Sequence, residues 1–237
     1  MIGRMAEAAA EISDAIPGAI VDMDVTESGR AFGLGFLASG KFFLVNNGPY
    51  RFDYDLPMDK EKDNWNLFFY PGQARTWITR TPLALDKWIP STLLLTHYFP
   101  DDPANLQELN IASMILGQDG IWGDLTAISP EGLRTIEGLI SRYKRVRNDM
   151  ASADPVVTGL VSSSPEVHEK IAANGRGAVV LFATVPGTYE YTTQHTVSSE
   201  HWSSNKTTVR AVGNGHAHIT AKFVEPGARI AFFGVAE

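Results

Sequence analysis

The chain has 237 residues, 44% of them hydrophobic and 20% charged, a composition that suits a globular protein with a sizeable core. Its formal charge of −7 argues against a nucleic-acid surface, because phosphate contacts need clustered Lys and Arg. With no cysteine there are no disulfides, thiolate metal sites or cysteine nucleophile.

In chain order, residues 5–15 have helix-forming composition and Pro17-Gly18 ends the run. Residues 19–25 read as a buried strand with Asp22 and Asp24 near its C-terminal end. A short helix over 27–38 leads to a second buried strand at 41–45, closed by the turn Asn46-Asn47-Gly48-Pro49. Residues 50–64 form an Asp-rich loop, long enough to suggest function. A strand at 65–70 precedes a helix at 73–85, interrupted at Pro82. Residues 91–96 read as a further strand, ending at His97-Tyr98.

Asp102-Pro103 has the form of a helix start, Asp as N-cap and Pro first in the helix, with Gly117 as the stop after Leu116. Ser129-Pro130-Glu131 repeats that signal. Leu133, Ile136, Leu139, Ile140, Tyr143 and Val146 then fall on one helical face. The basic run Arg142 to Arg147 reads as solvated last turns, where cations suit the helix dipole. After Asp154-Pro155 the pattern changes to short strands at 178–183, 189–192, 207–212, 216–223 and 228–233, separated by Gly, Pro and Asn turns. The fold expected is therefore α/β plus all-β. Residues 1–152 alternate strand and helix, as a parallel sheet covered by helices requires, and 153–237 form a small antiparallel β-sandwich.

Two motifs with chemical potential are set aside. His216 and His218 share a strand face but have no third ligand beside them, so no metal site is expected. There is no Gly-x-Ser-x-Gly elbow and no phosphate-cradling glycine loop, and no cofactor is expected. The N-terminus lacks the apolar stretch of a signal peptide, and no window supplies the ~20 apolar residues of a membrane helix. A cytoplasmic location, with no membrane partner, is the default unless a longer parent chain carries an export signal.

Leu93 to Pro103, Gly120-Ile121-Trp122-Gly123-Asp124-Leu125, and the helix carrying Tyr143-Lys144 and Arg147 resemble the last two β/α units of alpha-galactosidase-type glycoside hydrolases. Upstream, Val21-Asp22-Met23-Asp24 is similar to that clan's strand-four Trp-Asp-Met-Asn, and Arg51-Phe52-Asp53 to its Arg-Phe-Asp after strand five. The resemblance implies a partial (β/α) barrel, like the second half of a TIM barrel, that cleaves glycosidic bonds through strand-end carboxylates. Asp22 matches the nucleophile and Asp24 stands at the clan's Asn. Asp53 is a candidate second carboxyl because it lies in the following loop.

Asn46, Asn47, Arg51, His97, Trp122 and Asp124 are candidates for binding the carbohydrate substrate. For Asn46 and Asn47 an ordinary turn is the competing reading; for His97 it is a structural histidine, and for Trp122 and Asp124 packing of the core. Two departures stand out. The clan's acid/base Asp, in Trp-x-Ser-Asp, aligns with Trp65-Asn66-Leu67-Phe68, which ends in phenylalanine, and the α/β part has no counterpart of strands one to three. An open half-barrel exposes strand edges, so a homo-oligomer is expected. The competing expectation is a non-catalytic remnant that binds carbohydrate or serves as an interaction module.

Overall fold

The computed structural model describes residues 2–19, 23–24, 43–44 and 80–236. Helix α1 (Ile2–Ala15) buries Ala9 and packs Ala6 on the larger core; a turn through Gly18, at φ +86°, follows it, the Ala19 amide donating to the Ile16 carbonyl at 3.0 Å. Strands β1 (Met23–Asp24) and β2 (Phe43–Leu44) pair in parallel, Met23 opposite Phe43 and Asp24 opposite Leu44. The helix expected at 27–38, the loop at 50–64 and the strand at 65–70 lie outside the described residues.

Of the helix expected at 73–85, the described part is a 3-10 turn, Thr81–Leu85, entered through Pro82. The strand expected at 91–96 begins later. Pro90 and Ser91 carbonyls close a tight turn over Ser91–Leu93, by accepting from the Leu93 and Leu94 amides at 2.9 and 3.1 Å, before the chain can extend. Strand β3 is Leu95–Tyr98. The Asp102-Pro103 signal also shifts: Pro103 is itself the N-cap of a 3-10 turn (Ala104–Leu106), which leads into α2 (Gln107–Met114). Asp102 instead accepts from the Asn110 side chain at 2.8 Å. The helix ends at Met114, two residues early, because the chain must turn under β3. At Gly117 a Cβ would strike the Leu94 carbonyl oxygen, so only glycine lets the backbones approach.

Strand β4 (Gln118–Ile121) pairs in parallel with β3, completing a strand-helix-strand unit. Helix α3 (Pro130–Ser152) starts where the sequence signals it, with Ser129 Oγ accepting from the Gly132 amide at 3.0 Å and Pro130 first in the helix. Its buried stripe holds Leu139, Val146 and Met150, with Ile136, Ile140 and Tyr143 at the margins. Leu133 is the exception to the expected face: it is 54% exposed, at the edge of the stripe where no neighbour covers it among the described residues.

The remaining strands are β5 (Val156–Thr158), β6 (Glu166–Ile171), β7 (Gly177–Ala183), β8 (Gly187–Thr192), β9 (His201–Ser203), β10 (Thr207–Val212), β11 (His216–Phe223) and β12 (Gly227–Phe233). They form two antiparallel sheets, of order β5-β6-β7-β12-β9 and β10-β11-β8. Side-chain alternation decides what each face of the larger sheet meets. Val179, Leu181, Ala231 and Phe233 face the smaller sheet through Ile219 and Phe223, while Val180, Phe182, Ile230 and Phe232 share a core with α2 and α3. β7 and β12 are thus covered on both sides, which is why they read as unbroken apolar runs. Each large apolar side chain so buried contributes ~1.5–3 kcal/mol.

β6 was not legible as a strand, because Glu166, His168, Glu169 and Lys170 give it the hydropathy of a loop. All six of its residues are buried. Glu166 meets Arg80 and His168, and Lys170 Nζ pairs with Asp86 at 2.8 Å, so charge met by charge replaces the missing apolar signal. Among the described residues no helix is long and apolar enough to cross a membrane.

Candidate functional site

The C-terminal ends of β3 and β4 bring together two of the residues singled out by sequence. The ladder sets His97 opposite Gly120 and continues past the strands, the Trp122 amide donating to the Tyr98 carbonyl at 2.9 Å. A Cβ at Gly120 would press on the Leu95 side chain at 2.7 Å, so β4 lies close against β3. The His97 ring is edge-on to the Trp122 indole at 6.1 Å between centroids and stacks on Phe99 at 6.3 Å. His97 is buried, whereas Trp122 is 51% exposed, so the indole offers an open apolar face beside an enclosed imidazole. Phe99, which the sequence did not single out, completes the shelf.

The loop behind this shelf is tightly held on its outer side. Thr96 Oγ1 donates to the Met114 carbonyl at 2.7 Å, and Tyr98 OH donates to Gln107 Oε1 at 2.8 Å. Gln107 Nε2 donates in turn to the Asp102 carbonyl at 2.8 Å and to that of Pro100 at 3.3 Å. Burial, with the Asp102 charge adding to it, pushes the Tyr98 hydroxyl well above the usual phenol range, keeping it a donor. After Trp122 the chain turns at Gly123 (φ +124°), where a Cβ would sit 2.8 Å from an Asp101 carboxylate oxygen. Asp101 thus flanks the shelf, although nothing in its local sequence marks it out from Asp102.

Asp124, three residues beyond the end of β4, is held by its own turn. It is the N-cap of the 3-10 turn Leu125–Ala127, with Oδ1 accepting from Thr126 Oγ1 at 2.6 Å and the Thr126 amide at 2.8 Å. Those bonds, the hydroxyl first, hold its carboxyl below the usual range, and the group is exposed. Asp24 ends β1 as described, opposite Leu44. Asp22, Asn46, Asn47, Arg51 and Asp53 lie outside the described residues.

Polar clusters elsewhere are explained by structure. Glu169 gathers four bonds, from Tyr191 OH (2.8 Å), the Gln194 and His195 amides (2.9 and 2.7 Å) and His195 Nδ1 (2.6 Å), fastening the loop after β8 to β6. His216 bonds to the Thr193 carbonyl at 3.0 Å, and His218 to Thr192 Oγ1 at 3.1 Å. Among the described residues no three His, Asp or Glu side chains are arranged to hold a metal ion.

No family model matches the sequence, and no curated protein matches it. Solved structures do resemble it. The GH36 alpha-galactosidase from Geobacillus stearothermophilus, in complex with 1-deoxygalactonojirimycin, superposes over 97% of this chain with a TM-score of 0.52 and 11% identity. The alpha-galactosidase from Lactobacillus brevis matches 62% of this chain and 23% of its own, at a TM-score of 0.43 and 10% identity. Alpha-galactosidase I from Mortierella vinacea matches 55% of this chain and 36% of its own, at 0.33 and 16%. The first likeness shows a shared fold: mixed helix and sheet, with antiparallel sheets. This chain spans 38% of the length of that Geobacillus protein.

Proposed function

We propose that the chain is an alpha-galactosidase-like glycoside hydrolase whose carbohydrate site lies at the C-terminal ends of parallel strands. In this reading residues 1–152 are a partial (β/α) barrel, completed by self-association, and 153–237 are its C-terminal β-sandwich. Asp22 is the nucleophile, Asp24 stands beside it, and Asp53 supplies the second carboxyl; Asn46, Asn47, Arg51, His97, Trp122 and Asp124 bind the sugar. A retaining mechanism needs two such carboxyls ~5–5.5 Å apart across the bond, and an inverting one spaces them wider to admit water.

The observation that carries this reading is the His97–Trp122 shelf at the C-terminal end of a parallel strand pair, the end at which barrel enzymes hold their sites. Support comes also from the parallel pairing of β1 with β2, which puts Asp24 at the corresponding end of its strand. The fold likeness to the Geobacillus alpha-galactosidase agrees with both.

One observation favours a second reading, a non-catalytic remnant that binds carbohydrate or serves as an interaction module: Phe68 stands where the resemblance calls for the acid/base Asp. Two measurements separate the readings. Titration calorimetry with 1-deoxygalactonojirimycin tests binding, and release of the aryl group from an aryl alpha-galactoside tests turnover. Binding with turnover abolished by Asp22→Asn supports the hydrolase. Binding without turnover supports the remnant, and neither signal would sink the carbohydrate proposal.

A further inference from the structure

Two aspartates follow β3 in succession, and the fold puts them to different uses. The Asp102 carboxylate is buried and accepts from the Asn110 side chain at 2.8 Å, so it is engaged inside the protein. Asp101 is half-buried, and its Oδ1 lies 2.8 Å from where a Cβ on Gly123 would stand. Gly123 directly follows Trp122, so this carboxylate is set beside the exposed indole, at the C-terminal end of β3 and β4. Gly123 meets two demands at once. Its φ of +124° is one that side-chain-bearing residues rarely adopt, and its missing Cβ leaves the space that the Asp101 carboxylate occupies.

The Asp101 backbone is fixed by the protein itself. Gln107 is buried, and its Nε2 donates to the carbonyls of Pro100 and Asp102, the residues on either side of Asp101, at 3.3 and 2.8 Å. Its Oε1 accepts from Tyr98 OH at 2.8 Å, which ties the same side chain to the end of β3. The Asp102 amide donates to the Phe99 carbonyl at 3.3 Å and closes the turn. A binding group held in this way loses little freedom when a ligand arrives. The charge around it is one-sided as well. Residues 88–133, which supply β3, α2 and β4, contain six Asp and Glu but no Lys or Arg. Glu108 meets Arg229 on β12 at 3.4 Å, and Asp119 accepts from Tyr143 OH on α3 at 3.4 Å. Asp101 and the exposed Asp124 are the two acids that flank Trp122.

We propose that Asp101 is a specificity residue of the carbohydrate site: its carboxylate accepts from neighbouring hydroxyls of a pyranose whose C–H face rests on Trp122. The proposal rests on the carbohydrate reading above and narrows its substrate class to sugars without an acidic substituent. An ionised carboxylate only accepts, and its two oxygens can serve two hydroxyls at once. The indole face takes the apolar side of the sugar ring, so the two groups together grip both kinds of surface that a pyranose presents. A sugar that carries its own carboxylate or phosphate is disfavoured there, because its charge would stand close to Asp101 and Asp124.

Galactose and galacturonate supply the test, since they differ at one place, where the hydroxymethyl group of the first is a carboxylate in the second. Ligand-observed NMR titration of the whole chain should show galactose bound at least about tenfold more tightly than galacturonate. Asp101→Asn keeps the size of the side chain but replaces one acceptor oxygen with a donor and removes the charge. It should weaken galactose by at least about tenfold and galacturonate by less, so the preference between the two shrinks. The wild-type preference needs no variant, so it tests the proposal even if Asp101→Asn fails to fold.

Equal affinity of the wild type for the two sugars, or an unchanged galactose affinity in a folded Asp101→Asn, would overturn the proposal and leave the carbohydrate reading standing. A wild type that binds neither sugar nor 1-deoxygalactonojirimycin removes that reading, and this proposal with it.

Discussion

Arg80 and Glu166, 86 residues apart, meet as a fully buried bidentate ion pair, with Nε and Nη2 donating to the two carboxylate oxygens at 2.9 and 2.7 Å. The guanidinium also lies over the Phe182 ring, 3.9 Å from its centroid. His168 Nε2 shares Oε1 at 2.8 Å, and the Ser162 amide donates to Oε2 at 2.8 Å. Two nearly closed sets of bonds, this one and Lys170–Asp86, pin the turn at Thr81–Leu85 to β6 of the larger sheet. Removing one partner leaves the other charge buried and uncompensated. Arg80→Ala is expected to cost about 3–5 kcal/mol, read by urea denaturation. Arg80→Met with Glu166→Leu should cost clearly less than the single change, because no charge is stranded. A single variant that unfolds at the wild-type urea concentration would contradict this account.

The same pair sets an acid limit on stability. Burial raises the Glu166 carboxyl, but the Arg80 charge and the His168 bond outweigh it and hold the group at about 2. A carboxyl whose folded value lies below its unfolded one, about 4.3, stabilises the native state fully above that unfolded value. The contribution fades as pH falls from about 5 toward 2, and it is on the order of 3 kcal/mol. Glu166→Gln should therefore be less stable at pH 7 and lose less stability than wild type between pH 5 and pH 2. Thermal melts across that range check the sign, and parallel curves for the two proteins would refute it.

What the sequence made legible follows from which residues carry the burial. α3 was readable because Ser129 and Pro130 mark its start and its apolar residues recur at helical spacing, although Leu133 shows that a stripe edge is not settled by periodicity. β7 and β12 were readable as apolar runs bounded by turns. β6 was not, since its burial depends on Arg80 and Asp86, partners that no local window contains. β5 and β9, three residues each, are too short to establish a period. At the candidate site, strand ends pointed to His97 and Trp122, and the parallel ladder does bring those rings together. Asp124 belongs to the same motif, which does not show that Thr126, two residues on, donates to its Oδ1.

Gly117 fixes how closely α2 is followed by β4. A Cβ there would meet the Leu94 carbonyl oxygen and, at 2.7 Å, the Thr96 methyl, while the neighbouring Gln118 amide donates to Leu94 at 2.7 Å. Gly117→Ala must part the two strands locally, at a cost of about 1–3 kcal/mol. Hydrogen exchange is the discriminating measurement: the Gln118 and Trp122 amides should lose protection more than amides of the antiparallel sheets. Uniform loss across the protein would mean that the strain is not local.

Trp122 and His97 should separate binding from stability. The indole is half exposed but lies edge-on to the buried His97 ring, so truncating Trp122→Ala should cost only about 0.5–1.5 kcal/mol of stability. As the open face of the proposed carbohydrate site, its loss should weaken affinity for 1-deoxygalactonojirimycin at least about tenfold, the equivalent of ~1.4 kcal/mol. His97 is buried between Phe99 and Trp122, so His97→Ala leaves a cavity and should cost both stability and affinity. Asp124→Ala removes a cap from a short exposed turn, a small loss of stability, and its Oδ1 is already occupied by Thr126. If Asp124 binds sugar as well, affinity will fall further than in Thr126→Val, which removes the hydroxyl bond to that oxygen but keeps the amide bond and the carboxylate. Calorimetric titration of the four variants, beside their thermal melts, decides among these roles. Undiminished affinity in Trp122→Ala would remove the shelf from the site.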